Sequence, residues 1–356
     1  MRVVVTGGAG YIGSHAVQAL LAAGHGVCVV DDLSTGHAPA VDLRAELVLL
    51  DILETPRLTR VLEGADAVLH FAARSVVAQS VQDPIPYWDN NVGGSISLLR
   101  AMQAADVHTL VFSSTAATYG LVDTLPIHED VPQAPINAYG ATKLAVERLI
   151  ADVHRANPRF ASTILRYFNV VGCAEGLGED HRPETHLLPI ILQAALGQRD
   201  GLTIFGDDYD TADGTCVRDY VHVVDLVQAH LLALDALKPG EARVYNVGLG
   251  RGWSVREMVD AAKAVTGRDF SVTLGARRPG DPPVLITDPT RIRTELGWTP
   301  RHPDVADAIG SLWAWMQDHP HGWSDREKPQ VRDLRADPSG VRGRGDPGGG
   351  AVLVPS

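Results

Sequence analysis

Residues 1–13 read MRVVVTGGAGYIG. The β-branched run Val3, Val4, Val5 predicts a strand, and three glycines at Gly7, Gly10 and Gly13 follow it at once. Residues 14–23 then read as a helix, ended by Gly24. Strand, glycine turn and helix in that order make a dinucleotide clamp. Glycine permits the tight turn and the close approach of backbone to a pyrophosphate, and the helix N-terminus favours the negative charge. Tyr11 and Ile12 lie inside the loop. Asp31 ends the second strand, residues 27–30, where an acid takes the adenosine ribose hydroxyls and repels a 2′-phosphate. NAD is therefore expected over NADP.

Working outward, further apolar runs follow at residues 47–50, 68–71, 110–113 and 162–168, separated by helical stretches. Continuous apolar strands alternating with helices predict a parallel sheet covered on both faces. The fold class expected is α/β, a Rossmann-like doubly wound parallel sheet with a smaller C-terminal α/β substrate lobe. The expected division is 1–170 for the NAD-binding domain and 171–324 for the substrate lobe, parts of which return to the first domain. Residues 203–205, 244–247 and a helix at 255–266 are assigned to that smaller lobe. Residues 325–356, rich in arginine, glycine, proline and aspartate, are expected to be a disordered tail.

Two stretches join the clamp by position. Asp51 and Ile52 follow a strand and are expected to flank the adenine. Phe71, Ala72 and Ala73 end the next strand, where small residues leave room for the cofactor.

Tyr139–Gly140–Ala141–Thr142–Lys143 places a phenol and an ammonium one helical turn apart on one face. Tyrosine, with a pKa of about 10, is a poor base at neutral pH. A neighbouring Lys143 ammonium and a positive nicotinamide both favour the phenolate, which makes Tyr139 a workable base for a hydroxyl. Thr115, in the sequence SSTAATYG, can hydrogen-bond the same oxygen.

The 356-residue chain carries 31 basic and 43 acidic side chains, a net charge of −12, which argues against nucleic acid as a partner. Cys28, Cys173 and Cys216 are far apart and suggest a reducing compartment. No apolar run is long enough to span a bilayer, and the first residues run straight into a strand, so a cytoplasmic location without membrane contact is expected. The fourteen histidines show no HExxH or CxxC context, and no metal is expected. No GxSxG elbow is present, which disfavours a serine hydrolase.

With these motifs in hand, the chain resembles the extended short-chain dehydrogenase/reductase superfamily and, within it, the UDP-glucose 4-epimerase family. The resemblance covers residues 1–323 and rests on TGGAGYIGSH, DNNVGGS, YGATK, RYFNVVG, IFGDDYDTADGTCVRDYVHV and RRPGD. It implies tightly held NAD that takes a hydride from C4 of a UDP-hexose and returns it to the other face of a 4-keto sugar, with Tyr139 moving the O4 proton. It adds Asn90, Ser113 and Phe168 to the cofactor site. It implies substrate contacts from Asn169, His186, Leu187, Thr203, Phe205, Arg218, Arg278, Asp281 and Leu285, alongside Thr115 and Tyr139. Arg218 and Arg278 would pair with the diphosphate, Asp281 would accept from the uridine ribose, and Phe205 would lie against the uracil. A homodimer is also implied.

The chain departs from the family pattern in places. Ser75 stands where lysine is common, Thr115 replaces the usual catalytic serine and keeps its hydroxyl, Thr185-His186 replaces an asparagine pair, and Leu285 occupies the position that gates the sugar's C2 substituent. Three other readings compete: a UDP-N-acetylhexosamine or UDP-pentose epimerase, a sugar-nucleotide dehydratase, and a non-catalytic NAD-sensing protein. Ala116 and Ala117 after Thr115 supply no carboxylate for elimination, and the intact tyrosine–lysine pair weighs against a sensor.

Overall fold

A computed structural model describes residues 1–278, 281–325 and 329–335. The strands, in chain order, are β1 (Arg2–Thr6), β2 (Gly26–Asp31), β3 (Glu46–Leu49), β4 (Ala67–His70), β5 (Thr109–Thr115), β6 (Ala161–Tyr167) and β7 (Asn169–Val171). They continue with β8 (Gly201–Phe205), β9 (Val217–His222), β10 (Ala242–Val247), β11 (Gly252–Ser254), β12 (Ser271–Gly275), β13 (Val284–Leu285) and β14 (Val331–Asp333).

Eight strands form one parallel sheet in the order β10-β6-β5-β4-β1-β2-β3-β14. Successive side chains of a strand point to opposite faces. Val3 and Val5 accordingly join one core with the helices Tyr11–Ala22 and Val223–Ala236. Val4 joins the other core, with the helices Thr55–Leu62, Gly94–Ala104 and Ala138–Ala156. Burying both faces is what the unbroken valine run requires, at roughly 1.5–3 kcal/mol for each large apolar side chain.

The strand order reverses at β1, with β2 on one side and β4 on the other. Chains leaving the carboxyl ends of β1 and β4 must diverge there, which opens a crevice for a ligand. Gly7 leaves β1 and Phe71 leaves β4 at this point, and the amides of Phe71 and Ala72 both donate to Thr6 O, at 2.9 and 3.0 Å.

The smaller lobe holds a mixed sheet in which β9 pairs with β7, β11 and β13, and a two-stranded ladder of β8 and β12. Its core gathers Leu188, Ile191, Ile204, Met258, Ile309 and Trp315. Two expectations need correction. Strand β10 belongs to the large sheet, paired with β6 along Ala242–Val247, because its buried half continues the same apolar layer. Val331–Asp333 is an edge strand beside β3, and Leu334 is buried in the core under it, so this part of the expected tail is ordered by one apolar anchor and a ladder. The remainder of that expected tail, 326–328 and 336–356, lies outside the described residues, as do Pro279 and Gly280 of the RRPGD motif. No helix among the described residues is long and apolar enough to cross a membrane.

Candidate active site

The glycine loop is built as the sequence requires. Gly7 has φ +74°, and a Cβ there would meet the Ala72 amide nitrogen at 2.5 Å. A Cβ on Gly13 would lie 2.1 Å from Gly7 O, so the helix sits hard against the loop. No side chain caps the helix start at Gly10. The first amides of the helix of Tyr11, Ile12 and Gly13 thus present an uncapped positive end, which suits a pyrophosphate.

Asp31 is buried, accepting from Ala9 N at 3.0 Å and Leu33 N at 2.9 Å. Burial pushes its carboxyl up to about 6, against these two hydrogen bonds. Asp51 accepts from Leu53 N at 2.9 Å and stands at the end of the neighbouring strand. Ile52 is buried against Gly94, where a Cβ would meet it at 2.4 Å, so its side chain belongs to the core beneath the crevice. These residues, with the half-buried Phe71, Ala72 and Ala73, line the carboxyl ends of β1 to β4 and fit a dinucleotide.

Tyr139 and Lys143 lie on one buried face of the helix Ala138–Ala156, whose start is capped by Asn137 accepting from Gly140 N at 2.8 Å. Lys143 Nζ donates to Ser113 O at 2.9 Å. The Thr115 hydroxyl lies close enough to the Tyr139 phenol to favour its ionised form, and its oxygen accepts from Ala117 N at 3.1 Å. The expected triad therefore converges.

Burial dominates the electrostatics of the pair's own side chains. Burial pushes the Tyr139 phenol well above its ordinary value, Tyr167 adds to this, and the nearby Thr115 hydroxyl opposes it. Burial also lowers Lys143 to about 7, with Glu147 opposing. A lowered phenol is not a property of these side chains alone, because both groups share one desolvated pocket.

A polar scaffold behind the pair was not read from the sequence. Asn91, the second asparagine of DNN, donates to Thr142 Oγ1 at 3.0 Å and holds the Arg74 backbone through 2.8 and 3.0 Å bonds. Thr142 in turn donates to Tyr139 O at 2.7 Å. Asn90 Nδ2 donates to Asn91 Oδ1 at 3.0 Å. Ser113 Oγ contacts His230 Nε2 at 3.0 Å, and the His230 ring lies 4.9 Å from that of Phe71. The DNNVGGS motif carried the signal for Asn91, but nothing local distinguishes the buried asparagine from its neighbour.

In the second lobe, Arg218 is buried and paired with Asp281. The two residues assigned to diphosphate and ribose thus neutralise each other. Asp219 next to Arg218 is fully buried and accepts from the amides of Leu249, Gly250 and Thr287, which fixes the strand that carries Arg218. Arg278 stacks over the exposed Phe205 ring at 4.3 Å. Leu285 packs against the small apolar cluster that holds Phe168, and Leu285 registers with Arg218 across β13 and β9. Asn169 is exposed on β7. Thr203 is exposed and bonds Thr273 at 3.0 Å, and Leu187 opens the helix Leu187–Ala195.

His186 Nδ1 lies 2.9 Å from Glu184 and 3.2 Å from Glu179, so two carboxylates face this nitrogen of the ring. The histidines are also less scattered than the sequence suggested, since Glu179, His181, Glu184 and His186 converge.

A parallel sheet with this crevice, glycine loop and tyrosine–lysine pair defines a nicotinamide-dependent enzyme of the extended Rossmann type. The chain belongs to the NAD dependent epimerase/dehydratase family, which matches residues 3–248. It is similar to the UDP-glucose 4-epimerase of Lactobacillus helveticus, 51% identical over 92% of this chain and 100% of that protein. Among solved structures it is similar to UDP-glucose 4-epimerase from Brucella ovis in complex with NAD, with TM-score 0.84 and 44% identity over 88% of this chain and 98% of that one. It is also similar to the Bifidobacterium longum UDP-glucose 4-epimerase in complex with NAD+ and UDP, with TM-score 0.87 and 36% identity over 90% of this chain and 100% of that one.

Proposed function

We propose that this chain interconverts UDP-glucose and UDP-galactose, with NAD retained on the protein and Tyr139 moving the O4 proton. The observation that carries this reading is the buried convergence of Tyr139, Thr115 and Lys143 beside the crevice at the carboxyl ends of the parallel strands.

Gly7, Gly10 and Gly13 hold the pyrophosphate, Asp31 the adenosine ribose, and Lys143 the nicotinamide end. When bound, NAD supplies a reversible hydride acceptor at the sugar's C4. Thr115 orients the O4 hydroxyl and Tyr139 accepts its proton, then returns it. Because burial raises Tyr139 and lowers Lys143, the phenolate depends on added positive charge in the pocket. Arg218 exchanges part of its Asp281 pairing for phosphate oxygens, since a guanidinium fork suits both. Firm nucleotide contacts with a loosely held hexose let the keto sugar present either face.

The test is to purify the protein without added NAD, supply UDP-galactose and follow UDP-glucose. Turnover without cofactor addition and without net NADH supports the proposal. Loss of water would indicate a dehydratase, and bound NAD without turnover a sensor. A panel of UDP-sugars with and without an N-acetyl group reads the gate at Leu285. The homodimer is likewise a proposal, supported by the exposed Val77, Val81, Ile85 and Trp88 on consecutive helical segments and checked by sedimentation.

A further inference from the structure

The segment between β7 and the helix Leu187–Ala195 is laid across the cofactor-binding helix. Tyr11 Oη donates to Gly172 O, Ala174 N donates to His15 Nε2 at 3.0 Å, and His37 Nε2 contacts Asp180 O at 2.9 Å. Where this segment turns into the helix, four side chains converge with one donor atom each, all within 4.8 Å of one another.

We propose that Glu179, His181, Glu184 and His186 form a binding site for one divalent transition-metal ion, with zinc the ion that the donor set favours. Two imidazole nitrogens and two carboxylate oxygens suit four-coordinate zinc. Around such an ion, donors held at zinc's usual distances lie about 3.3 Å apart. The separations here are 2.9 Å and 3.2 Å from His186 Nδ1 to Glu184 Oε1 and Glu179 Oε1, and 3.3 Å and 3.7 Å from His181 Nδ1 to Glu179 Oε1 and Glu184 Oε2, the shortest being a hydrogen bond that the ion would replace.

A second observation points to a missing partner. The Glu179 side chain is 2% exposed, its Oε1 faces both imidazoles, and its Oε2 has no hydrogen-bond partner. His181 Nδ1 is buried at short range from two carboxylates yet forms no hydrogen bond of proper geometry with either. Two carboxylates this close repel, and an orphaned buried oxygen is costly. Arg182, the nearest guanidinium in sequence, turns to Asp180 and His321 O instead. A bound cation satisfies the carboxylates, and coordination releases to solvent any proton the imidazoles carry. The ion staples the 172–186 segment at the junction of the cofactor helix and the substrate lobe. Its role is structural, because all four protein donors close the coordination shell.

The experiment uses the untagged full chain, stripped with a chelator and desalted. Zinc chloride is titrated in by calorimetry, with thermal melting in parallel. One saturable site per chain and a raised melting temperature are expected. The double variant His181→Gln with His186→Asn is expected to bind zinc roughly tenfold or more weakly, the loss that even outer-shell changes can cause. Should that variant fail to fold, X-ray absorption on the zinc-loaded native chain decides, with scattering from two imidazoles expected. The proposal is overturned by non-saturable uptake, by equal affinity in the folded double variant, or by a zinc spectrum without imidazole scattering. None of these readouts depends on epimerase turnover.

Discussion

Gly140 approaches Ala117 so closely that a Cβ on Gly140 would lie 2.4 Å from the Ala117 carbonyl oxygen. Both partners are backbone, so neither can swing aside. This contact fixes how near the start of the tyrosine helix comes to the turn after Thr115. Gly140→Ala is expected to separate Tyr139 from Thr115, lowering kcat roughly tenfold or more with KM little changed. The overpacking should cost about 1–3 kcal/mol of stability. Steady-state kinetics on UDP-galactose beside urea unfolding checks both parts, and a native kcat would contradict the geometry.

Tyr139→Phe keeps the ring that fills the pocket and removes the proton acceptor. The variant should fold and retain NAD while losing about 10²–10⁴-fold in turnover. Cofactor content after gel filtration separates this outcome from simple loss of binding. Turnover close to native would remove Tyr139 as the base.

A Cβ on Gly13 would lie 2.1 Å from Gly7 O. Gly13→Ala therefore has to push the helix away from the glycine loop, spoiling the aim of its amides. The expected outcome is a folded chain that emerges from purification without NAD. Absorbance and mass spectrometry of the released nucleotide measure it, and native NAD content would sink the prediction.

Burial holds Asp31 at about 6, above its ordinary range of about 4. A carboxyl whose folded value is raised works against folding above that value, and the opposition fades as pH falls from about 6 towards about 4. Cofactor binding has the opposite dependence, because ribose hydroxyls donate best to the ionised carboxylate. NAD affinity of the stripped protein should weaken as pH drops through about 6, and Asp31→Asn should flatten that dependence. Fluorescence titration across this window tests it, with a pH-independent Kd in the native chain as the contrary result.

Glu147 sits one helical turn beyond Lys143 and grips Arg166 at 2.7 Å, both nearly fully buried. Removing one partner of a buried pair strands the other charge. Glu147→Ala should cost about 3–5 kcal/mol, whereas Asp152→Ala, which breaks an exposed pair with Arg155 on the same helix, should leave the melting temperature unchanged. Thermal melts and urea titrations of both variants, run in parallel, compare the two.

The sheet was legible because its signals are local. The valine run of β1, the three glycines and Asp31 each state their role within a few residues, and the tyrosine–lysine pair does so within one turn. What escaped depends on distant partners. Nothing near Asn91 announces that it joins the Arg74 backbone to Thr142, and nothing near Glu179 announces the histidines that converge on it. Strand β10 follows the elements of the smaller lobe in sequence, and only its pairing with β6 places it in the large sheet. Tyr139 shows the same limit in energetic form, since its spacing to Lys143 is readable while the burial that opposes ionisation is not.

The ordered piece of the tail bears on solubility. Without Val331–Asp333, the backbone groups on the outer side of β3 would face water as an unpaired border. Such a border recruits strands from other molecules. A border of three residues, anchored by Leu334 and carrying Arg332 and Asp333, is too short and too charged to serve as a template for fibrous self-association.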